Sequence, residues 1–309
     1  MNREPPEIPV QIACLTDPGR KRTTNEDAVS YHIPGNREEF ESRGILCIVA
    51  DGMGGHDAGE VASATAVEAM LGAFLSENSR DPVESLRNCV TTANRKVYET
   101  SRSSGSQSGM GTTLVAAMLR GNQLHVANVG DSRAYRIRGG EPEQITTDHS
   151  WVQEQILAGV LTKEALHTHP RRNLITRALG IYPGIEVDYF SKTVRKDDVL
   201  VLCSDGLWGE VRDDEIARAV EGRSVEEAAQ VLVDLANERG GPDNISVVVA
   251  RVLENPGTIQ DEQPETLMEE AAGSGKTGSP VGGTTPFLSG VGAFILIGLV
   301  VLIIYLMRK

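Results

Sequence analysis

The sequence predicts an α+β fold with sheets inside and helices outside, followed by one C-terminal membrane helix. Three observations carry that expectation. Short runs rich in β-branched residues are joined by hairpin-type turns, and longer stretches with an apolar stripe or a capping signature alternate with them. Past residue 253 the composition shifts to Gly, Thr, Pro, Glu and Ser, then to an uncharged apolar run.

The strands are read from Val10–Leu15, Ile45–Ala50, Thr113–Leu119, Leu124–Val129, Ala134–Arg138, Val199–Cys203 and Ile245–Val252, all apolar or alternating. Arg120-Gly121-Asn122 and Arg138-Gly139-Gly140 have hairpin-turn composition, so much of the sheet should be antiparallel. Val83, Leu86, Val90, Ala93 and Val97 keep one stripe over about four helical turns. Ser224-Val-Glu-Glu227 is a capping box opening a helix that Gly240 and Gly241 close. The folded unit is expected over residues 8–253 and a flexible linker over 254–286. From Phe287 to Leu306 no charge occurs, and at ~1.5 Å per residue the run spans about 30 Å, the thickness of a bilayer core.

With 309 residues and 40% apolar content the chain can build a substantial core. A net charge of −13 argues against a nucleic-acid partner, which would need a basic face. Cys14, Cys47, Cys89 and Cys203 are scattered, with neither zinc-ligand spacing nor a disulfide framework, which suits a reducing compartment. The first residues lack the apolar stretch of a secretory signal.

One chemical pattern recurs: an apolar strand ends and an Asp beside a Gly follows. It occurs at Asp51-Gly52, Asp131 (after Val-Gly) and Asp205-Gly206, and Asp243 stands directly before the last strand. A single Asp-Gly is an ordinary turn. Carboxylates gathered at adjacent strand ends repel one another and stay ionised only around a cation. Oxygen-only ligands select Mg²⁺, Mn²⁺ or Ca²⁺ rather than zinc, and Gly52 would let its carbonyl approach the ion. Arg22 supplies a guanidinium fork that matches a phosphate. Cys14 and Arg20 have the spacing of cysteine-dependent phosphatases, but the acid and proline between them spoil a phosphate cradle. No P-loop, dinucleotide fingerprint or Gly-x-Ser-x-Gly occurs.

Taken in order, Arg22-x-x-Asn25-Glu26-Asp27, Asp51-Gly-Met-Gly-Gly-His56, Gly111-Thr-Thr113, Val129-Gly-Asp131-Ser-Arg133, Thr147-Asp-His149-Ser, Arg172-Asn-x-x-x-Arg177-Ala-Leu-Gly180, Ser204-Asp205-Gly-Leu-Trp208 and Gly241-Pro-Asp243-Asn244 resemble the metal-dependent serine/threonine protein phosphatases of the 2C type, bacterial branch. The resemblance implies a four-layer α-β-β-α sandwich of two antiparallel sheets with the metals in a cleft at one edge. It implies two, possibly three Mn²⁺ or Mg²⁺ ions. Asp51 would bridge two of them and the Gly52 carbonyl would bind one. Asp205 and Asp243 would complete the first site, and Asp131 with Asp205 would hold a third, weaker ion. Glu26 and Asp27 would act through metal-bound water and Arg22 would grip the substrate phosphate, while residues from about His149 to Leu179 would form a mobile flap. The implied reaction is in-line attack of a metal-bridging hydroxide on phosphoserine or phosphothreonine.

Eukaryotic members of the resembled family carry a histidine where this chain has Met53. His56 and His149 are nearby candidates for the general acid, and metal-bound water is another. Implied partners are phosphorylated proteins, including Ser/Thr kinases, or a narrower regulator of the anti-sigma-antagonist kind. A catalytically dead scaffold would be marked by a missing metal-binding Asp, and none is missing. Arg308 and Lys309 after the apolar run favour a cytoplasmic tail by the positive-inside tendency. The absent export signal and reduced-type cysteines favour a cell-membrane protein with its catalytic domain in the cytoplasm, which is the expectation adopted.

Overall fold

The computed structural model describes residues 8–54, 58–77, 79, 81–103 and 109–255. His56, nearly all of the expected linker and the expected membrane helix over 287–306 lie outside the described residues. In chain order the strands are β1 (Val10–Asp17), β2 (Asp27–His32), β3 (Ile45–Met53), β4 (Gly111–Thr112), β5 (Leu114–Arg120), β6 (Gln123–Val129), β7 (Arg133–Arg138), β8 (Glu141–Gln144), β9 (Asp188–Thr193), β10 (Val199–Cys203) and β11 (Ile245–Val252). The helices are α1 (Arg37–Ser42), α2 (Ala58–Ser76), α3 (Pro82–Ser103), α4 (Trp151–Leu157), α5 (Ala165–Thr168), α6 (Asp205–Trp208), α7 (Asp213–Val220) and α8 (Val225–Glu238).

Two antiparallel sheets result, one ordered β1-β11-β10-β7-β8 and the other β2-β3-β5-β6-β9 with β4 paired to β3. The strand period of two divides their residues between three apolar layers. Along β3, Leu46, Ile48 and Ala50 face the α2–α3 layer, while Ile45, Cys47 and Val49 face the other sheet. Along β11, Ile245, Val247 and Val249 pack under α7 and α8, and Val248, Ala250 and Val252 enter the same inter-sheet layer. Both sheet faces are covered, so β3, β5, β10 and β11 read as nearly unbroken apolar runs rather than as alternation. Helices therefore flank the sheet pair on both sides.

Both expected hairpins form, Arg120 pairing with Gln123 and Arg138 with Glu141. Gly139 and Gly140 have φ of 59° and 84°, the left-handed pair that a two-residue hairpin turn requires. The Ser224–Glu227 capping box is present in both directions. Helix α2 shows no one-sided stripe because apolar residues occupy most of its circumference. Among the described residues it is the helix long and apolar enough to cross a membrane. Ala62, Ala66, Met70 and Phe74 nevertheless pack into the core shared with α3 and β3, so it is a core helix.

Candidate active site

Antiparallel register decides where the acidic residues meet. Asp51, near the end of β3, pairs with Asp27, the first residue of β2. Asp205 opens α6 immediately beyond β10, and Asp243 stands just ahead of β11, the antiparallel neighbour of β10. Asp131 lies just past β6, at the end where Val129 pairs with Leu114, and the start of β5 in turn adjoins the end of β3. All five carboxylates belong to one end of the sheet pair.

Their protonation reflects the crowding. Burial, then the charges of Asp205 and Asp243, push Asp27 up to about 7 against opposing hydrogen bonds from Ser246 and Ser204. Burial and Asp243 push Asp205 up to about 6, while a hydrogen bond with Asp51 pulls the other way. Asp51 is driven well above the usual carboxylate range by burial and then by Asp27, Asp205, Asp131 and Asp243. Asp131 is raised by burial, Asp205 and Asp148.

Such a cluster fits a hard cation. Asp27 Oδ1 and Asp205 Oδ1 are buried and have no hydrogen-bond partner among the described residues, and divalent ions relieve both the orphaned oxygens and the repulsion. Among the described residues no three His, Cys, Asp or Glu side chains already enclose a cage.

The surrounding residues hold the cluster in place. The Ser204 hydroxyl donates to Asp27 Oδ2 (2.8 Å) and accepts from the Ser246 N–H (3.0 Å). The Asp51 N–H donates to Thr113 Oγ1 (3.0 Å), and that hydroxyl pairs with Ser132 at 2.8 Å. A Cβ on Gly52 would sit 2.1 Å from the Gly59 carbonyl oxygen and 2.5 Å from that of Glu26. Only glycine lets β3, α2 and the Glu26 segment converge there.

Asn244 enters the sequence argument only as part of a motif, yet it organises one wall. Its Oδ1 accepts from the Glu26 N–H at 2.8 Å, and its Nδ2 donates to the carbonyls of Pro18 (3.0 Å) and Thr24 (2.9 Å). The available signal was a polar residue between a Gly-Gly-Pro turn and an apolar strand, where a buried amide has backbone to bind.

Arg22 is half-exposed and its Nη2 donates to Asp243 Oδ2 at 2.8 Å. It lines a cleft of about 180 Å³ with Asp205, Asp243, Trp208, Arg172 and Asn173. Glu26 adjoins the cluster, its carboxyl raised by burial first.

The two histidine candidates fare differently. His56 is outside the described residues. His149 is 5% exposed, and both ring nitrogens are engaged, Nδ1 by the Gly130 N–H (3.2 Å) and Nε2 by Asp188 (3.2 Å). Of the three candidates for the general acid, it is the one whose ring nitrogens are already committed within the fold. Met53 instead borders a separate pocket of about 380 Å³ with Ile175, Ile181 and Tyr182.

The family model for protein phosphatase 2C matches residues 20–244. The chain belongs to the protein phosphatase 2C family. A relative, the serine/threonine phosphatase stp of Listeria welshimeri, is 40% identical over 241 residues, covering 76% of this chain and 92% of that protein. The crystal structure of the Mycobacterium tuberculosis serine/threonine phosphatase PstP/Ppp superposes with a TM-score of 0.71 at 39% identity, covering 79% of this chain and 99% of that one. A structure of the PstP catalytic domain in complex with two manganese ions gives a TM-score of 0.69 at 38% identity, with coverages of 79% and 99%.

Proposed function

We propose that the chain is a metal-dependent protein serine/threonine phosphatase that removes phosphate from phosphoserine and phosphothreonine, opposing protein kinases. The observation that carries this reading is the set of five carboxylates at one sheet end, with Asp27 Oδ1 and Asp205 Oδ1 buried and unpartnered. Asp51, the Gly52 carbonyl, Asp205 and Asp243 would hold two Mn²⁺ or Mg²⁺ ions, and Asp131 with Asp205 a third. When bound, such ions polarise phosphoryl oxygens and lower the pKa of water.

The protein's own groups do the positioning. Arg22 takes one edge of the substrate phosphate, bringing its charge into the same cleft as Asp205 and Asp243. Asp27, held by Ser204, accepts a hydrogen bond from water at the cluster and orients it. Positioning and electrostatics supply most of the catalysis in phosphoryl transfer. Purified full-length chain should release phosphate from a phosphothreonine peptide with Mn²⁺ or Mg²⁺ and lose that turnover in EDTA. Turnover that persists in EDTA, or a folded protein inactive with every divalent ion tried, would overturn the proposal.

The proposal extends to the chain's organisation. A catalytic unit over residues 8–253 is joined by a linker over 254–286 to a membrane helix over 287–306, with the catalytic unit in the cytoplasm. The support is the uncharged apolar run and its length. Full-length protein should pellet with membranes and resist alkaline extraction, and protease outside intact cells should leave the catalytic unit uncut. Extraction at alkaline pH would sink the anchor, and external cleavage would sink the orientation.

A further inference from the structure

Gly130, the residue before Asp131, has φ +102°, and a Cβ there would meet Thr113 Cγ2 at 2.6 Å. One residue holds the two peptides that flank its Cα. The His149 N–H donates to the Gly130 carbonyl at 2.8 Å, and the Gly130 N–H donates to His149 Nδ1 at 3.2 Å. An Nδ1 that accepts leaves the proton of the neutral ring on Nε2. That nitrogen lies 3.2 Å from Asp188 Oδ2, and Arg177 Nη1 donates to Asp188 Oδ1 at 2.9 Å. Arg177 Nη1 is also 3.3 Å from Nε2, and because both are donors, the Asp188 carboxylate serves both. Arg177 further approaches Glu186 at 3.6 Å. His149 starts the flap segment and Arg177 lies near its end, where the adjoining Thr176 N–H donates to the His149 carbonyl at 2.8 Å.

We propose that Arg177, Asp188 and His149 form a positioning relay that sets the Val129–Gly130 peptide leading into Asp131 and fastens the segment from His149 to Arg177 to it. The affinity of an ion at Asp131 then depends on side chains that do not touch it. Arg177 orients Asp188, and Asp188 fixes the ring tautomer. The tautomer leaves Nδ1 free to accept from Gly130. Without Asp188 the ring can adopt the other tautomer, which sets N–H against N–H and frees the Asp131 loop. This inference rests on the proposed assignment of Asp131 to a metal ion.

The test is calorimetric titration of the metal-free full chain with Mn²⁺, beside its melting temperature. It compares wild type, Asp188→Ala, Asp188→Asn, Asp131→Ala and the Asp131→Ala/Asp188→Ala pair. Asp188→Ala should weaken the weakest Mn²⁺ site by about tenfold and leave the tighter ones unchanged. Asp188→Asn, which keeps an acceptor for Nε2–H, should fall between. The double variant should bind no worse than Asp131→Ala alone. Melting should stay within about 2 °C of wild type, because Asp188 is 38% exposed. An unchanged titration in Asp188→Ala, or an equal further drop when Asp131 is already absent, overturns the relay alone. So does a lowered melting temperature with every Mn²⁺ site weakened alike, which is what a merely structural role would produce. If Asp131→Ala itself leaves Mn²⁺ binding intact, the metal assignment falls and the relay falls with it.

Discussion

Asp51→Asn is expected to abolish phosphatase turnover while making the metal-free protein more stable. Asp51 sits where four other acidic groups raise its carboxyl well above the usual range, after burial itself. With no cation present, the folded state carries that repulsion and the unfolded chain does not. A neutral amide of the same shape removes part of it, which should raise the stability measured in EDTA by roughly 1–2 kcal/mol. The same change takes a ligand from the proposed metal pair. Turnover at saturating Mn²⁺ should fall by more than the ~100-fold typical of losing an outer partner of a metal site. Phosphopeptide turnover and thermal melting in EDTA check the two halves. A variant that stays active, or melts earlier than wild type without metal, contradicts the account of the cluster as a charge-strained site.

Arg133→Met should cost about 3–5 kcal/mol of stability, the penalty of stranding a buried carboxylate. Arg133 is 3% exposed and grips Asp148 with Nε at 2.9 Å and Nη2 at 2.7 Å. Its Nη1 donates to the Tyr135 hydroxyl at 3.0 Å, and its Cζ lies 3.6 Å from the centre of the Trp208 ring. Trp208 Nε1 in turn donates to the Asp131 carbonyl at 2.9 Å. Methionine fills the volume but leaves Asp148, itself 3% exposed, with only Gln144 Nε2 at 3.2 Å among these side-chain partners. Adding Asp148→Asn removes the orphaned charge and should recover more than half of the loss. Urea denaturation of the two variants decides it. A cost under about 1 kcal/mol, or no recovery in the pair, would show that the ion pair is not what holds this wall.

How much of this was legible follows from strand position. The central strands β3, β5, β10 and β11 are legible in the sequence as largely apolar runs because both of their faces are covered, while β6 and β7 are legible by alternation of apolar with polar residues. The strands that went unread, apart from two-residue β4, are β2, β8 and β9, and each lies at a sheet edge. Asp27–His32, Glu141–Gln144 and Asp188–Thr193 are half-exposed there and lack a continuous apolar signature. Missing β9 also concealed Asp188. Its partner His149 therefore read as a polar-loop histidine when it is a buried one with both nitrogens engaged.

Sequence by itself determined the local and repeated features. These are the two-residue hairpin turns, the capping box at Ser224, the apolar central strands and the placing of acids at strand ends, all set by neighbours a few residues apart. Only the tertiary structure decided what depends on register between distant segments. It paired Asp27 with Asp51 and seated Arg22 on Asp243 from opposite ends of the domain. It left one oxygen on each of Asp27 and Asp205 without a partner among the described residues, and it turned His149 from a candidate acid into a clamp on Gly130. Hydrogen-bond partners of a buried polar group are chosen by whatever backbone and side chains the fold brings within about 3 Å, and the spacing of residues along the chain does not encode that choice.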